Sequence, residues 1–178
     1  MSNTNQLQVG TYNYASEVIK GYFNSQIAKI EKNDCFVRAV AAATDLAYDI
    51  AHGYVADVFH RKQGQGTMFT NMVMMKLEEE GMLIGDKNVK VRVLSTNEIT
   101  NSYKLHGEIV KRKKTVKSFI KDNPTGTYII GVAGHAFTIK EGVLVDNAGE
   151  EFRPTRKVTS AFKINTPAAV TNQLTLAF

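Results

Sequence analysis

The hydrophobic period of this chain changes near Gly81, and that change limits the fold more than any other feature. Before it, apolar residues recur at helical spacing; after it, they alternate. Val18/Ile19, Tyr22/Phe23 and Ile27 fall on one face and predict a helix over 14–30. A second helix is expected from Cys35 to about Thr44. Its apolar positions 36, 37, 40, 43 and 47 nearly encircle it, and its alanines admit close neighbours, so it reads as a central, buried helix. A third is expected from about Asp49 through His60, ended by Gly64-Gln65-Gly66. A fourth runs from about Phe69 to Glu80, with Met72, Val73, Met74 or Met75, and Leu77 inward. Then Asn88 to Leu94 alternates as a half-buried strand. A short helix capped by Thr115 closes before Pro124. Strands are expected over 127–132, 135–139 and 142–146, turning at Glu141-Gly142, with a further strand over 160–164. Helices first and a mostly antiparallel sheet afterwards define an α+β fold.

The 178 residues suit one domain spanning 1–178, with a core over about 30–165 and extended tails at 1–12 and 166–178. No apolar run is long enough for a bilayer, so no membrane partner is expected. The polar start lacks a secretory pattern, and a single cysteine fits a reducing compartment, which together imply a cytoplasmic protein. The net charge of +5 comes partly from Lys111, Arg112, Lys113 and Lys114. Such a block can touch the phosphates of a nucleic acid. The plainer reading is a solvated loop leading into the next helix, and no aromatic residue interleaves with it as a stacking platform would require.

Cys35 is the only cysteine, in Asn33-Asp34-Cys35-Phe36-Val37-Arg38. It cannot form an internal disulfide and lacks a second thiol for a metal site, so neither a metal nor a cofactor is expected. What remains is an inert buried thiol or a nucleophile. Asn33 or Asp34 is a good N-cap, which puts the sulfur in a first helical turn, where free amides and the helix dipole lower a thiol pKa. Far along the chain, Gly134-His135-Ala136-Phe137 starts one strand of the expected hairpin and Asp146-Asn147 ends the other. With the turn at Glu141-Gly142, His135 lies opposite the Asp146 region. Asp146 is the preferred partner, with Asn147 the alternative after a one-residue slip. A thiolate needs an imidazole to hold its proton, and the imidazole needs an acceptor to fix its tautomer. His52 and His60, eight apart, have no helical metal-ligand spacing and read as packing or surface residues.

A helix-start Cys, then a strand His, then Asp or Asn on the next strand resembles the papain-like cysteine peptidase superfamily. Asn-Asp-Cys with its Ala-rich helix resembles small uncharacterised cysteine-peptidase-like proteins of bacteriophages and bacteria. So does Thr-Val-x-x-Phe-Ile-x-x-Asn-Pro-x-Gly-Thr-Tyr-Ile-Ile ahead of Gly-His-Ala-Phe and Gly-Val-Leu-Val-Asp. The likeness covers roughly 33–147 and is strongest over 115–146. It implies a papain-like α+β fold, with the Cys helix in one half and the His and Asp strands in the other. The implied activity is that of a thiol-dependent hydrolase or acyl transferase on a peptide or protein substrate. Cys35 would be nucleophile, His135 base and acid, and Asp146 orienter. The family's Gln before the Cys is missing here; Asn33, or more distantly Gln26, is the side-chain candidate for the oxyanion, beside the Cys35 amide. The alternative is an inactive version of the fold in a phage virion, or one binding a host protein through its termini. A basic nucleic-acid-binding protein is the third reading.

Overall fold

Helices give way to strands at Gly81, where the hydrophobic period changes. A computed structural model describes residues 12–68, 71–84, 87–147 and 152–165, with backbone only at 71–73. The expected tail at 166–178 and most of that at 1–12 lie outside the described residues. The described chain opens with a short strand, β1 (Tyr12–Tyr14), then α1 (Ala15–Val18), a 3-10 turn (Tyr22–Asn24) and α2 (Gln26–Ile30). The single helix expected over 14–30 is therefore wrong. Gly21 sits at φ 71, a left-handed conformation that breaks a helix. Ser25 starts the next helix by accepting the Ala28 amide at 2.9 Å.

Three longer helices follow: α3 (Cys35–Thr44), α4 (Tyr48–Phe59) and α5 (Asn71–Glu80). From Phe36 to Thr44 every residue of α3 except Arg38 is buried, as an apolar surface running all round a helix requires. In α5, Met74 and Leu77 point inward while Met75 is exposed. Phe69 and the side chains of Met72 and Val73 lie outside the described residues.

Next come β2 (Met82–Ile84), β3 (Lys87–Val93), β4 (Thr100–Leu105), β5 (Glu108–Lys113) and α6 (Val116–Asp122). The chain then forms β6 (Thr127–Val132), β7 (His135–Lys140), β8 (Val143–Asp146) and β9 (Val158–Asn165). Seven strands make one sheet, ordered β1-β8-β7-β6-β9-β3-β2, and β4 and β5 make a separate pair. All ladders of the large sheet are antiparallel except β1 with β8, which is parallel. The architecture is α+β with a mixed sheet. The basic run is not a loop: Lys111 to Lys113 belong to β5, and only Lys114 lies beyond it.

Successive residues of the strands feed two cores. Ile129, Ala136, Val145 and Phe162 pack with α3, whereas Ile130, Phe137, Ile139 and Leu144 pack with Val116 and Phe119 of α6 on the other face. Each fully buried Phe, Ile or Leu side chain contributes about 1.5–3 kcal/mol relative to exposure. The β7–β8 turn places Glu141 at φ 49 and Gly142 at φ 74, the positive pair of a two-residue hairpin. It fixes the register Lys140↔Val143, Ile139↔Leu144 and Thr138↔Val145. Among the described residues no helix is long and apolar enough to cross a membrane.

Candidate active site

Cys35 is the first residue of α3 and is half-buried. Asp34 occupies the N-cap position, but its side chain does not cap the helix. Instead it is buried, accepts the Tyr48 hydroxyl at 2.7 Å and pairs with Arg38 at 3.3 Å. Burial and this bond push the Tyr48 phenol well above its usual range. The amides of the first turn thus lack their usual side-chain acceptor beside the sulfur.

His135 opens β7 and Asp146 closes β8. Extending the β7–β8 register sets Asp146 opposite Phe137, one pleat from His135 on the same face, close enough for long side chains to meet. The ring Nε2 lies 2.7 Å from Asp146 Oδ2. The other Asp146 oxygen accepts the Asn147 amide at 2.8 Å, and the carboxylate is buried. Asn147, the alternative third member, turns the other way: its Oδ1 accepts the Ser16 amide at 2.9 Å. Since Nε2 faces Asp146, Nδ1 is the nitrogen left for Cys35, whose sulfur is near enough for the two groups to shift each other's pKa. Tyr12 adds support from β1 by donating its hydroxyl to the Asp146 carbonyl at 2.9 Å.

These contacts set the charges. The bond to Asp146, followed by that to Cys35, raises the His135 pKa to about 9 against the opposing effect of burial. Burial alone would raise the Cys35 thiol. The His135 hydrogen bond, the Ala136 backbone amide and the charges of His135 and Arg38 outweigh it and lower the thiol pKa. Both shifts act in the same direction, favouring a thiolate beside an imidazolium. Such a pair can attack an electrophilic carbon and then return a proton to a leaving group.

The loop ahead of Cys35 is clamped by a second cluster. Glu31 pairs with Arg61 at 2.9 Å, both side chains fully buried, and with His52 at 2.8 Å. It also accepts the Gly64 amide at 2.5 Å. Burial would raise the Glu31 pKa, yet Arg61, Gly64 and His52 together hold it down at about 2. Arg61 also donates to the Lys32 carbonyl at 3.1 Å. Asn33 belongs to this clamp, being exposed with its side-chain amide donating to the Gly64 carbonyl at 3.1 Å. Gln26 is exposed at the start of α2. His60 is exposed, and His52 serves Glu31.

Sequence reasoning missed Asp34, Arg38 and Tyr48 as the support beneath the thiol. The four-residue spacing of Asp34 and Arg38 was the available signal, since it favours an ion pair on a helix. The basic residues are dispersed by the fold: Lys114 pairs with Asp122 at 2.6 Å, whereas Lys111, Arg112 and Lys113 stay on the β4–β5 hairpin. No protein-family model, curated protein or solved structure matches the chain.

Proposed function

We propose that the protein is a papain-like, thiol-dependent hydrolase or acyl transferase acting on a peptide or isopeptide bond. The observation that carries this reading is the His135 imidazole, its Nε2 2.7 Å from the Asp146 carboxylate and its ring beside the Cys35 thiol at the start of α3. The Cys35 thiolate attacks the carbonyl carbon. The Cys35 amide at the helix start is the backbone donor for the oxygen as it gains charge. His135 passes its proton to the departing amine, leaving a thioester on the sulfur. Water or an acceptor amine then attacks the thioester, gives its proton to His135 and releases the thiolate.

The test is mass-spectrometric capture of that thioester with peptide thioester or amide substrates. Wild-type protein should gain the acyl mass on Cys35 and lose it to hydroxylamine; Cys35→Ala should gain none. If no substrate acylates Cys35 while the same probes acylate a known thiol peptidase, the reading fails.

A second reading is an inactive version of the same fold in a phage virion or bound to a host protein. One observation favours it: the Asn33 amide is engaged by Gly64, so this candidate for a side-chain oxyanion donor already has a partner. Under this reading Cys35→Ala leaves assembly intact, while removal of residues 166–178 abolishes it.

A further inference from the structure

The β4–β5 hairpin forms a sheet of its own. Its turn is tight, with His106 at φ 50 and Gly107 at φ 87, as in a two-residue type I′ hairpin. The register pairs Thr100 with Lys113, Ser102 with Lys111 and Lys104 with Ile109. Opposed residues share a face, and alternate residues return to it, so Lys104, Lys111 and Lys113 line one side. On the other side the Arg112 guanidinium lies over the Tyr103 ring, 5.2 Å from its centroid. Tyr103 and Val110 are half-buried there.

The lysine face has no counter-charge of its own. Lys104, Lys111 and Lys113 are exposed, and among the described residues none of them is in an ion pair. Lys111 donates to the neutral Asn97 side chain at 3.0 Å. Glu108, the acid of the hairpin, is opposite Leu105 on the far side. Lys104 lies diagonal to Lys111, and Lys113 follows on the same strand. Diagonal neighbours on one face lie about 7–8 Å apart, within reach of long side chains, so the three like charges repel one another and would be relieved by an anion.

We propose that this face binds the phosphate backbone of a B-form DNA duplex. The charge is complementary, and so is the shape. A ribbon of six residues per strand spans about 20 Å. The major groove of B-DNA, about 12 Å wide, admits a two-stranded ribbon and brings phosphates to both of its edges. The deep, narrow major groove of A-form RNA does not. The proposal is independent of the thiol chemistry and needs no residue of that site.

The experiment is fluorescence anisotropy of the full chain with a short DNA duplex across a range of salt, for wild type and for the combined K104Q, K111Q and K113Q variant. Each neutralised phosphate contributes about −0.9 to the slope of log K against log salt, so losing three should flatten the slope by about 2.7. The variant should have a Tm at or above that of wild type, the lysine repulsion being gone, and the wild-type rate of Cys35 alkylation. Four results would overturn the proposal: wild type binding no duplex at low salt, a variant with unchanged affinity and slope, an RNA duplex bound as tightly as DNA, or poly-glutamate bound in preference to either.

Discussion

The Thr138 hydroxyl donates to the Ala39 carbonyl at 2.7 Å, across the buried junction of β7 and α3. Thr138 lies on the strand that begins with His135, and Ala39 on the helix that begins with Cys35. This bond therefore fixes the helix against the strand a few residues from where the sulfur meets the imidazole. Replacing Thr138 by Val keeps the shape and removes the donor. A net cost of about 0.5–1.5 kcal/mol is expected, measured as a fall in the denaturant midpoint. The alkylation rate of Cys35 at neutral pH should fall with it, since the sulfur and ring are no longer held in register.

The β7–β8 turn is the second mechanical requirement. A methyl group on Gly142 would meet the Pro124 carbonyl oxygen at 3.0 Å, in a left-handed backbone. Gly142→Ala should cost about 1–2 kcal/mol for the conformation alone, with the contact adding to it. Chemical denaturation measures this. NMR should show a weakened His135–Asp146 hydrogen bond if the register yields.

His135 is raised to about 9 chiefly by Asp146. In Asp146→Asn the ring should titrate closer to its ordinary value near 6.5, read by NMR of the imidazole. The sign follows from linkage. A raised imidazole pKa stabilises the fold fully below pH 6.5 and ceases to do so as the pH climbs through about 9. The stability gap between wild type and variant should therefore be widest in mild acid and narrow through pH 9. Turnover, once a substrate is found, should drop by about 10²–10⁴-fold in His135→Ala, the usual range for a lost acid–base group.

Glu31 runs the other way. Its carboxyl is held at about 2, so its contribution is complete above pH 4.5 and disappears as the pH falls through 2. Glu31→Ala leaves Arg61 buried without its partner and should cost about 3–5 kcal/mol at neutral pH. Equilibrium unfolding of the variant measures this, and Glu31→Ala should also lose the wild-type fall in stability between pH 4.5 and 2.

The parts of the fold that could be read from sequence are those set by short-range rules. The helix starting at Cys35 follows from apolar positions that nearly encircle it, and the meeting of His135 with Asp146 follows from a two-residue turn and the pleat. What escaped is joined by distant partners. β1 has three residues, too few to show alternation, and it pairs with Leu144 to Asp146 at the other end of the chain. β4 has only Tyr103 and Leu105 as apolar residues, too few to mark a period, so the basic run beside it reads as loop. Glu31, His52 and Arg61 have no spacing that signals their cluster, because the turn after α4 brings them together. The helix expected over 14–30 is interrupted at Ile19 and Ser25, both extended, and at Gly21, whose backbone is left-handed.

The central claim is that Cys35 is an ion-paired nucleophile. Its most direct test is the pH dependence of Cys35 alkylation by iodoacetamide in wild type and in His135→Ala. The account predicts a thiolate in the wild type well below the free-cysteine pKa of about 8.5, and a return to about that value in the variant. An ordinary thiol profile in wild type, unchanged by the substitution, would contradict it.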